Sequence, residues 1–410
     1  MHSHSPFYAL TFPNYRLFFY GQSVSVAGTW MQIVAQNWFV WRLTGSPQWL
    51  GVVNGVSIIP TVCFTIWGGQ LADRYSRRSI LLWTQFCAML LAFLLAALAS
   101  NLWLTPKAWH IAVIAALASA VNAFNLPAQQ AFVNDLIEDK NALRNAIALN
   151  SLRFNLARFV GPMLAGYVLV RSGEALCFLL NAFSFIAVIL SLWFMRLPVF
   201  VPSIRSRAIG EGFRYLAERP RVLRMVFLVG AGALFVWSAA TLFPVFATHL
   251  GVGKRGYSQM TSANGVGAMT AGFALATFSR TASHTLRIYG GATLFGLSLI
   301  AFSFAPSHAL ALFCLACSGF GMITCAISCN TAVQEEVPDA LRGRVMAVYS
   351  LAFQGLMPLG GLLVGALAER TGAVFALRLN ATLFLVVTAV LGTWHYRDRS
   401  VENGGEEPQR

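Results

Sequence analysis

The feature that most constrains this chain is a series of apolar stretches about as long as a bilayer is thick. Residues Ile80–Ser100 contain no charged side chain, and Ala175–Met195 runs on until Arg196 closes it. A helix rises about 1.5 Å per residue, so roughly 20 apolar residues cross the ~30 Å hydrocarbon layer. A soluble core has no use for such helices in series. Composition agrees, with 57% hydrophobic and 11% charged residues among 410, where soluble domains carry about 25% charged. Leu17–Trp41 is too long for a signal-peptide core and is followed by no small-residue cleavage site, so it reads as a retained first span.

Spans are expected near 16–42, 48–72, 80–100, 109–135, 144–170 and 174–195, then near 225–249, 257–279, 288–305, 308–334, 345–368 and 373–394. The expectation is an all-α membrane protein of twelve transmembrane helices in two six-helix pseudo-repeated bundles. Residues 1–15 form a cytoplasmic N-terminus, 16–195 the first bundle, 196–224 a cytoplasmic linker, 225–396 the second bundle and 397–410 a polar tail. A shift of 199 residues relates the halves, aligning Ser151 with Ser350, Phe154 with Phe353, Gly161 with Gly360 and Gly166 with Gly365. Parallel six-plus-six repeats with a substrate site at their interface are a known transporter architecture.

The net charge of +14 is explained by where the basic residues fall. With the N-terminus in the cytoplasm, twenty Lys and Arg lie in cytoplasmic segments, seven of them between Arg196 and Arg224. Six lie opposite: Arg42, Lys107, Arg171, Lys254, Arg255 and Arg370. The positive-inside rule therefore puts both termini in the cytoplasm of a bacterial inner membrane, and no nucleic-acid partner is needed. Within the linker, Ile209, Phe213 and Leu216 share helical spacing up to Pro220; an amphipathic helix on the membrane surface and a plain solvated linker both fit. The seven cysteines, Cys63, Cys87, Cys177, Cys314, Cys317, Cys325 and Cys329, fall in expected spans and read as buried free thiols. The Cys314/Cys317 spacing has no second pair or nearby His, so neither metal nor cofactor is expected.

Two motifs carry most of the specific information. Gly68-Gly69-Gln70-Leu71-Ala72-Asp73-Arg74, followed by Arg77 and Arg78, lies between spans 2 and 3. Arg158-Phe159-Val160-Gly161-Pro162-Met163-Leu164-Ala165-Gly166 lies in span 5, and Leu341-Arg342-Gly343-Arg344 follows span 10. The first run resembles the cytoplasmic signature of the major facilitator superfamily, with Ser76 at the place of a family glycine. Together the runs resemble its transmembrane-effector branch, which includes enterobactin-type siderophore exporters and multidrug exporters. Ala157 and Ala165 stand where the span-5 signature of drug–proton exporters has glycines. The resemblance implies a cytoplasmic latch of Gly69, Asp73, Arg74 and Arg78. Gly161, Pro162 and Gly166 form either a hinge or a static kink, since Pro162 removes a helix hydrogen bond.

Polar stripes mark the helices that face a cavity. Gln22, Ser25, Thr29, Gln32 and Gln36 share one face of span 1, and Ser119, Asn122, Asn125 and Gln129 one face of span 4. Thr324, Ser328, Thr331 and Glu335 do the same on span 10, and Ser238, Thr241 and Thr248 more weakly on span 7. Interhelical hydrogen bonding is the alternative use for any of these. Arg153 and Arg158 lie inside span 5, where charges are costly and usually functional. They have no acidic counterpart at mid-depth, which points to an anionic substrate; pairing of Arg158 with Asp135 or with carbonyls freed by Pro162 is the alternative. The substrate contacts are therefore expected among Gln32, Gln36, Asn122, Asn125, Gln129, Arg153, Arg158, Thr241, Thr324 and Ser328. Asp135 and Glu335 are the candidates for proton coupling.

The resemblance implies a secondary transporter that exports a small amphipathic or anionic metabolite, such as a siderophore, by proton antiport and alternating access. A broad-specificity multidrug–proton antiporter is the alternative, and a lipid flippase a more remote one. The expected partners are a small-molecule substrate, protons and the lipid bilayer, with the chain a monomer. An enzyme is not expected, because no HExxH helix or nucleotide-binding loop occurs.

Overall fold

The structure is a computed structural model that describes residues 7–101, 104–137, 139–196, 209–278 and 283–404. Residues 1–6 of the N-terminus, 197–208 of the linker, Arg280 and 405–410 of the tail lie outside the described residues, as do the side chains of 395–404. Among the described residues the regular structure is helical throughout.

The chain divides into two compact units. The first is Met1–Ser206 with Thr241–Gly265, and the second is Arg207–Ala240 with Val266–Arg410. The first holds α1 (Pro13–Thr44), α2 (Pro47–Gly55), α3 (Ile58–Arg74), α4 (Arg77–Ala99), α5 (Ala108–Leu136) and α6 (Lys140–Phe194). The second holds α7 (Ile209–Glu218) and α8 (Pro220–Phe235). After α8 the chain passes through a 3-10 turn, Trp237–Leu242, so the expected seventh span is not one continuous helix. The short α9 (Phe243–His249) packs with the first unit, and α10 (Gly253–Phe278) crosses from first to second at Gly265. The second unit continues with α11 (His284–Ser303), α12 (His308–Glu336), α13 (Asp339–Thr371) and α14 (Ala373–Gly404). The last helix runs beyond the expected end of the twelfth span.

Nine helices among the described residues are long and apolar enough to cross a membrane. One of them, Asn141–Phe194, is two spans, because Gly173 at φ 80° breaks the helical path inside α6. A residue with a Cβ is strained at that angle, and glycine is not. The two expected spans that fall short of the apolar measure are α1 and α10. These carry the Gln22–Gln36 stripe and the Ser258-to-Asn264 polar run, so their polarity is what lowers them. The architecture is thus the expected twelve-span helical membrane protein.

The repeat has a structural basis. A Cβ on Gly161 would lie 2.5 Å from the Trp30 Cβ and 2.8 Å from the Ala27 carbonyl oxygen, so α6 lies directly on α1. In the second unit Gly360 of α13 lies closer still to α8, where a Cβ would fall against the Leu234 carbonyl oxygen. The same 199-residue shift carries Gly173 to Gly372, both with positive φ, and buried Asn181 to buried Asn380. Of the cysteines, all free, Cys177, Cys314, Cys325 and Cys329 are buried as expected. Cys63 is exposed, because the middle of α3 turns an outer face to its surroundings.

The helix expected at 209–218 forms, but it is docked. Leu216 is buried, Glu211 pairs with Arg344 of α13, and the Tyr215 hydroxyl donates to the Glu336 carbonyl at 3.3 Å. A Cβ on Gly212 would sit 2.7 Å from the Arg344 carbonyl oxygen, whereas Gly210 has open space. Gly212→Val should therefore cost about 1–3 kcal/mol by overpacking while Gly210→Val costs little. Thermal unfolding of the two purified variants checks this, and equal losses would remove the docking contact from the account.

Candidate functional site

In the first unit, the basic residues after α3 stitch helix ends together. Arg77 pairs with Asp135 at the end of α5 and donates to the carbonyls of Ala72 and Ala131. Arg78 donates to the Trp193 carbonyl at the end of α6 at 2.8 Å. Arg74 is exposed, and Asp73 is half-buried with no ion pair among the described residues. The close helix approach belongs to Gly68, which lies against the Ala123 carbonyl of α5, while Gly69 meets open space. Asp135 is thus paired with Arg77, and Arg158 takes a different partner.

A strap that no motif announced lies beside this cluster. Tyr8–Thr11 forms a 3-10 turn with Ala9 fully buried. The Ala9 amide donates to Asn145 Oδ1 at 2.9 Å, and the Tyr8 hydroxyl donates to Asp139 Oδ2 at 3.0 Å. Asp139 also caps α6 by accepting from the Asn141 amide at 2.8 Å. The Asn141 amide and then the Tyr8 hydroxyl hold its carboxyl below the usual carboxylate range, and the same bond raises the Tyr8 phenol. The short Asx cap at Asp139–Asn141 was the only signal in the sequence.

The polar stripes divide between packing and open positions. Asn181 donates to Gln32 Oε1 at 2.7 Å, so Gln32 joins α1 to the second limb of α6. Asn125 Oδ1 accepts from Thr84 at 3.1 Å and Gln85 at 3.2 Å on α4. The Ser119 hydroxyl donates to the Ser57 carbonyl at 3.0 Å. Gln36 and Gln129 are half-buried, Asn122 is exposed and Thr241 is buried. Gln22 is buried with an Nε2 that has no hydrogen-bond partner.

The two arginines of α6 have different surroundings. Arg158 Nη2 donates to Asn264 Oδ1 of α10 at 3.1 Å, and its guanidinium carbon lies 5.7 Å from the Trp30 ring centroid. Gly265 allows this approach, since a Cβ there would lie 2.7 Å from the Arg158 carbonyl oxygen. On the same α10 segment Tyr257 stacks on Trp38, and Ser258 fills the space left by Gly166. Trp41 Nε1 donates to Thr248 Oγ1 at 2.8 Å. Arg153 instead lies 5.9 Å from each of the Phe18 and Phe19 ring centroids, with Nε and Nη1 buried and without a partner. Two cation–π contacts return about 0.5–2 kcal/mol each, against about 1–3 kcal/mol or more for each charged donor left unsatisfied.

In the second unit α12 presents Ser318, Thr324 and Ser328, all buried and with hydroxyls that have no hydrogen-bond partner. Below them Glu335 lies 3.7 Å from His284 Nδ1, beside a cavity of about 360 Å³ that also touches Met225, Tyr289 and Glu336. Arg378 is committed: it donates to Ser303 Oγ at 2.9 Å and lies 3.5 Å from the Phe304 ring centroid. Among the described residues no group of three His, Cys, Asp or Glu could hold a metal ion.

Long apolar helices carrying buried polar and cationic side chains are the features of a polytopic solute transporter. The fold is that of known transporters: it superposes on a bacterial homologue of the human lysosomal transporter Spinster with a TM-score of 0.75 at 14% identity, covering 94% of this chain and 97% of that one. A peptide transporter, POT, in complex with sulfate gives 0.74 at 14% identity, with 94% of each chain covered. The chain belongs to the transmembrane secretion effector family, which it matches over residues 3–405, and is a multi-pass transporter of the major facilitator superfamily rather than an enzyme. It is 26% identical to the staphyloferrin A transporter of Staphylococcus aureus, over 92% of this chain and 94% of that protein. It is 27% identical to the multidrug efflux pump Tap of Mycolicibacterium fortuitum, over 89% and 92%. Macrolide efflux protein A of Streptococcus pyogenes is 22% identical over 92% and 96%.

The depressed carboxyl of Asp139 gives the strap a pH dependence. Its contribution is fully present above the unfolded carboxylate pKa of about 3.9 and is lost as pH falls through the lower folded value. The protection factor of the Ala9 amide, its exchange relative to an unstructured amide at the same pH, should therefore be high at pH 5 and fall as pH drops below the ordinary carboxylate range, and Tyr8→Phe should lower it at pH 5. Protection independent of both changes would mean that Asp139 does not hold the strap.

Proposed function

We propose that the chain exports a small amphipathic or anionic metabolite, such as a siderophore, from the cytoplasm across the bacterial inner membrane. Transport would proceed by alternating access with proton antiport, with the protein acting as a monomer and both termini in the cytoplasm. The observation that carries the reading is the end-to-end family match, residues 3–405, to secretion effectors, with relatives named as efflux pumps. The buried acid of α6, Glu174, is already paired with Arg42, whereas Arg153 has no carboxylate partner among the described residues and Arg158 donates to an amide, Asn264, which favours an anionic cargo over the cationic drugs of the multidrug alternative. Untargeted metabolite profiling of cells with and without the gene, in iron-poor medium, tests it. An anionic chelator retained inside the deletion strain and missing from its medium is the expected result. Unchanged metabolites with altered drug tolerance would transfer the assignment to multidrug efflux, and lipid scrambling in proteoliposomes would make it a flippase.

The proton-coupling reading rests on Asp135 and Glu335, which lie at helix ends beside basic groups, Arg77 and His284. Protonation of either carboxylate would release its partner, linking proton binding to helix-end contacts. Asp135→Asn with Glu335→Gln should abolish pH-gradient-driven transport in everted vesicles. Undiminished proton-driven transport by the double variant would refute the assignment.

A further inference from the structure

We propose that Arg153, with the aromatic rings of Phe18 and Phe19, forms an anion-binding site that selects flat, conjugated acids, and that Arg158 joins helices rather than making a second contact. The inference rests on the export reading above and narrows its cargo to aromatic carboxylates or phenolates.

The two arginines differ in what the protein already provides for them. Arg158 has an acceptor, Asn264, on a helix brought into contact by Gly265. Arg378 likewise has Ser303. Arg153 has neither a carboxylate nor a carbonyl among the described residues, and two of its nitrogens are buried without a partner. The Tyr15 hydroxyl interacts electrostatically with Arg153, but its hydrogen bonds run elsewhere, its proton being shared between the Ala146 carbonyl at 3.0 Å and Asn150 Oδ1 at 3.3 Å. A leucine or methionine would fill the same space against Phe18 without leaving charged donors unsatisfied. The cation at this position therefore answers a group that the fold does not supply.

The walls of the site define that group. Phe18 is fully buried and held edge-on by Phe132, so it is a fixed face. Phe19 is half-buried, lies 6.1 Å from the Tyr15 ring and 5.8 Å from the exposed Tyr20 ring, and so continues an aromatic surface outward from the guanidinium. A planar guanidinium takes an anion edge-on through paired N–H donors, and a ring conjugated to that anion would lie along Phe19. An anionic lipid headgroup shares the anion chemistry but has no ring to place there.

The test uses the full-length protein in nanodiscs of phosphatidylcholine alone and of phosphatidylcholine with phosphatidylglycerol. The probe is radiolabelled benzoate, with unlabelled cyclohexanecarboxylate as a competitor of equal charge without aromaticity. Saturable benzoate binding is expected in both discs, with cyclohexanecarboxylate competing more weakly. Arg153→Gln should weaken it at least about tenfold and Phe19→Leu by a few fold, as for loss of a charge-assisted hydrogen bond and an aromatic contact. Arg153→Lys, which keeps charge and loses the planar fork, should fall between. Arg158→Gln should lower thermal stability and, in the protein that remains folded, leave the benzoate affinity within a few fold.

Benzoate binding unchanged by both Arg153 variants, equal competition by the two acids, or loss of affinity in Arg158→Gln equal to that in Arg153→Gln would each overturn the inference. Binding abolished by phosphatidylglycerol would reassign the site to lipid headgroups and overturn it as a cargo site. These readouts are independent of the export reading. A deletion strain with no retained metabolite would defeat export while leaving the binding result intact, and export unaffected by Arg153→Gln would defeat this site alone.

Discussion

Helices in a bilayer gain nothing from leaving water together, so what holds them is close approach of their backbones and the hydrogen bonds that approach permits. Most of this structure follows from where glycine allows it. Gly161 seats α6 on α1, and Gly360 seats α13 on α8. Gly267 lies against the Ala316 carbonyl, and Gly291 and Gly321 bring α11 and α12 together. A side chain at any of these positions would separate helices that have few other means of adhering. The functional side chains are consequences of these seats. Arg158 reaches Asn264 only because Gly265 lets α10 come near.

The same constraint accounts for the internal repeat. A duplicated bundle needs its seats and its breaks at equivalent places, while its polar residues are free to diverge. The 199-residue shift accordingly keeps Gly161 with Gly360, Gly173 with Gly372 and Asn181 with Asn380. It keeps Arg171 with Arg370 beside the helix breaks but not the arginines inside the span, since Arg153 and Arg158 correspond to Ala352 and Met357. The second unit has its own half-buried arginine, Arg287, with one nitrogen lacking a hydrogen-bond partner, at a position that the repeat does not relate to Arg153 or Arg158. Arg378 in the second is absorbed by Ser303 and Phe304.

The spans and the polar face of α1 were legible in the sequence because length, hydropathy and helical periodicity are local properties. Partner choice was not. Gln32 and Asn125 look identical in pattern to Gln36 and Asn122, yet the first pair is used in helix packing and the second is not. That difference depends on which helix face meets a neighbour, a long-range fact. The same holds for Asp135, whose partner proved to be Arg77 across two helix ends, and for the Tyr8 strap, whose acceptors lie 131 and more residues away. The break of the seventh span at Trp237–Leu242 was also hidden, since its residues are apolar enough for a helix.

Comparing the polar residues that packing consumes with those it leaves open gives a functional criterion sharper than polarity. Interhelical hydrogen bonds in membranes average about 0.6 kcal/mol, so a residue engaged in one has an adequate structural reason to be there. A buried donor with no acceptor has none, and its cost must be met by something outside the fold. By that criterion Gln32, Asn125 and Arg158 belong to the framework. Gln22, Arg153, Thr324 and Ser328 keep unanswered polar atoms in the interior of their units. Arg78 and Arg287 each leave one guanidinium nitrogen in the same condition, but Arg153 leaves two and so bears the larger cost.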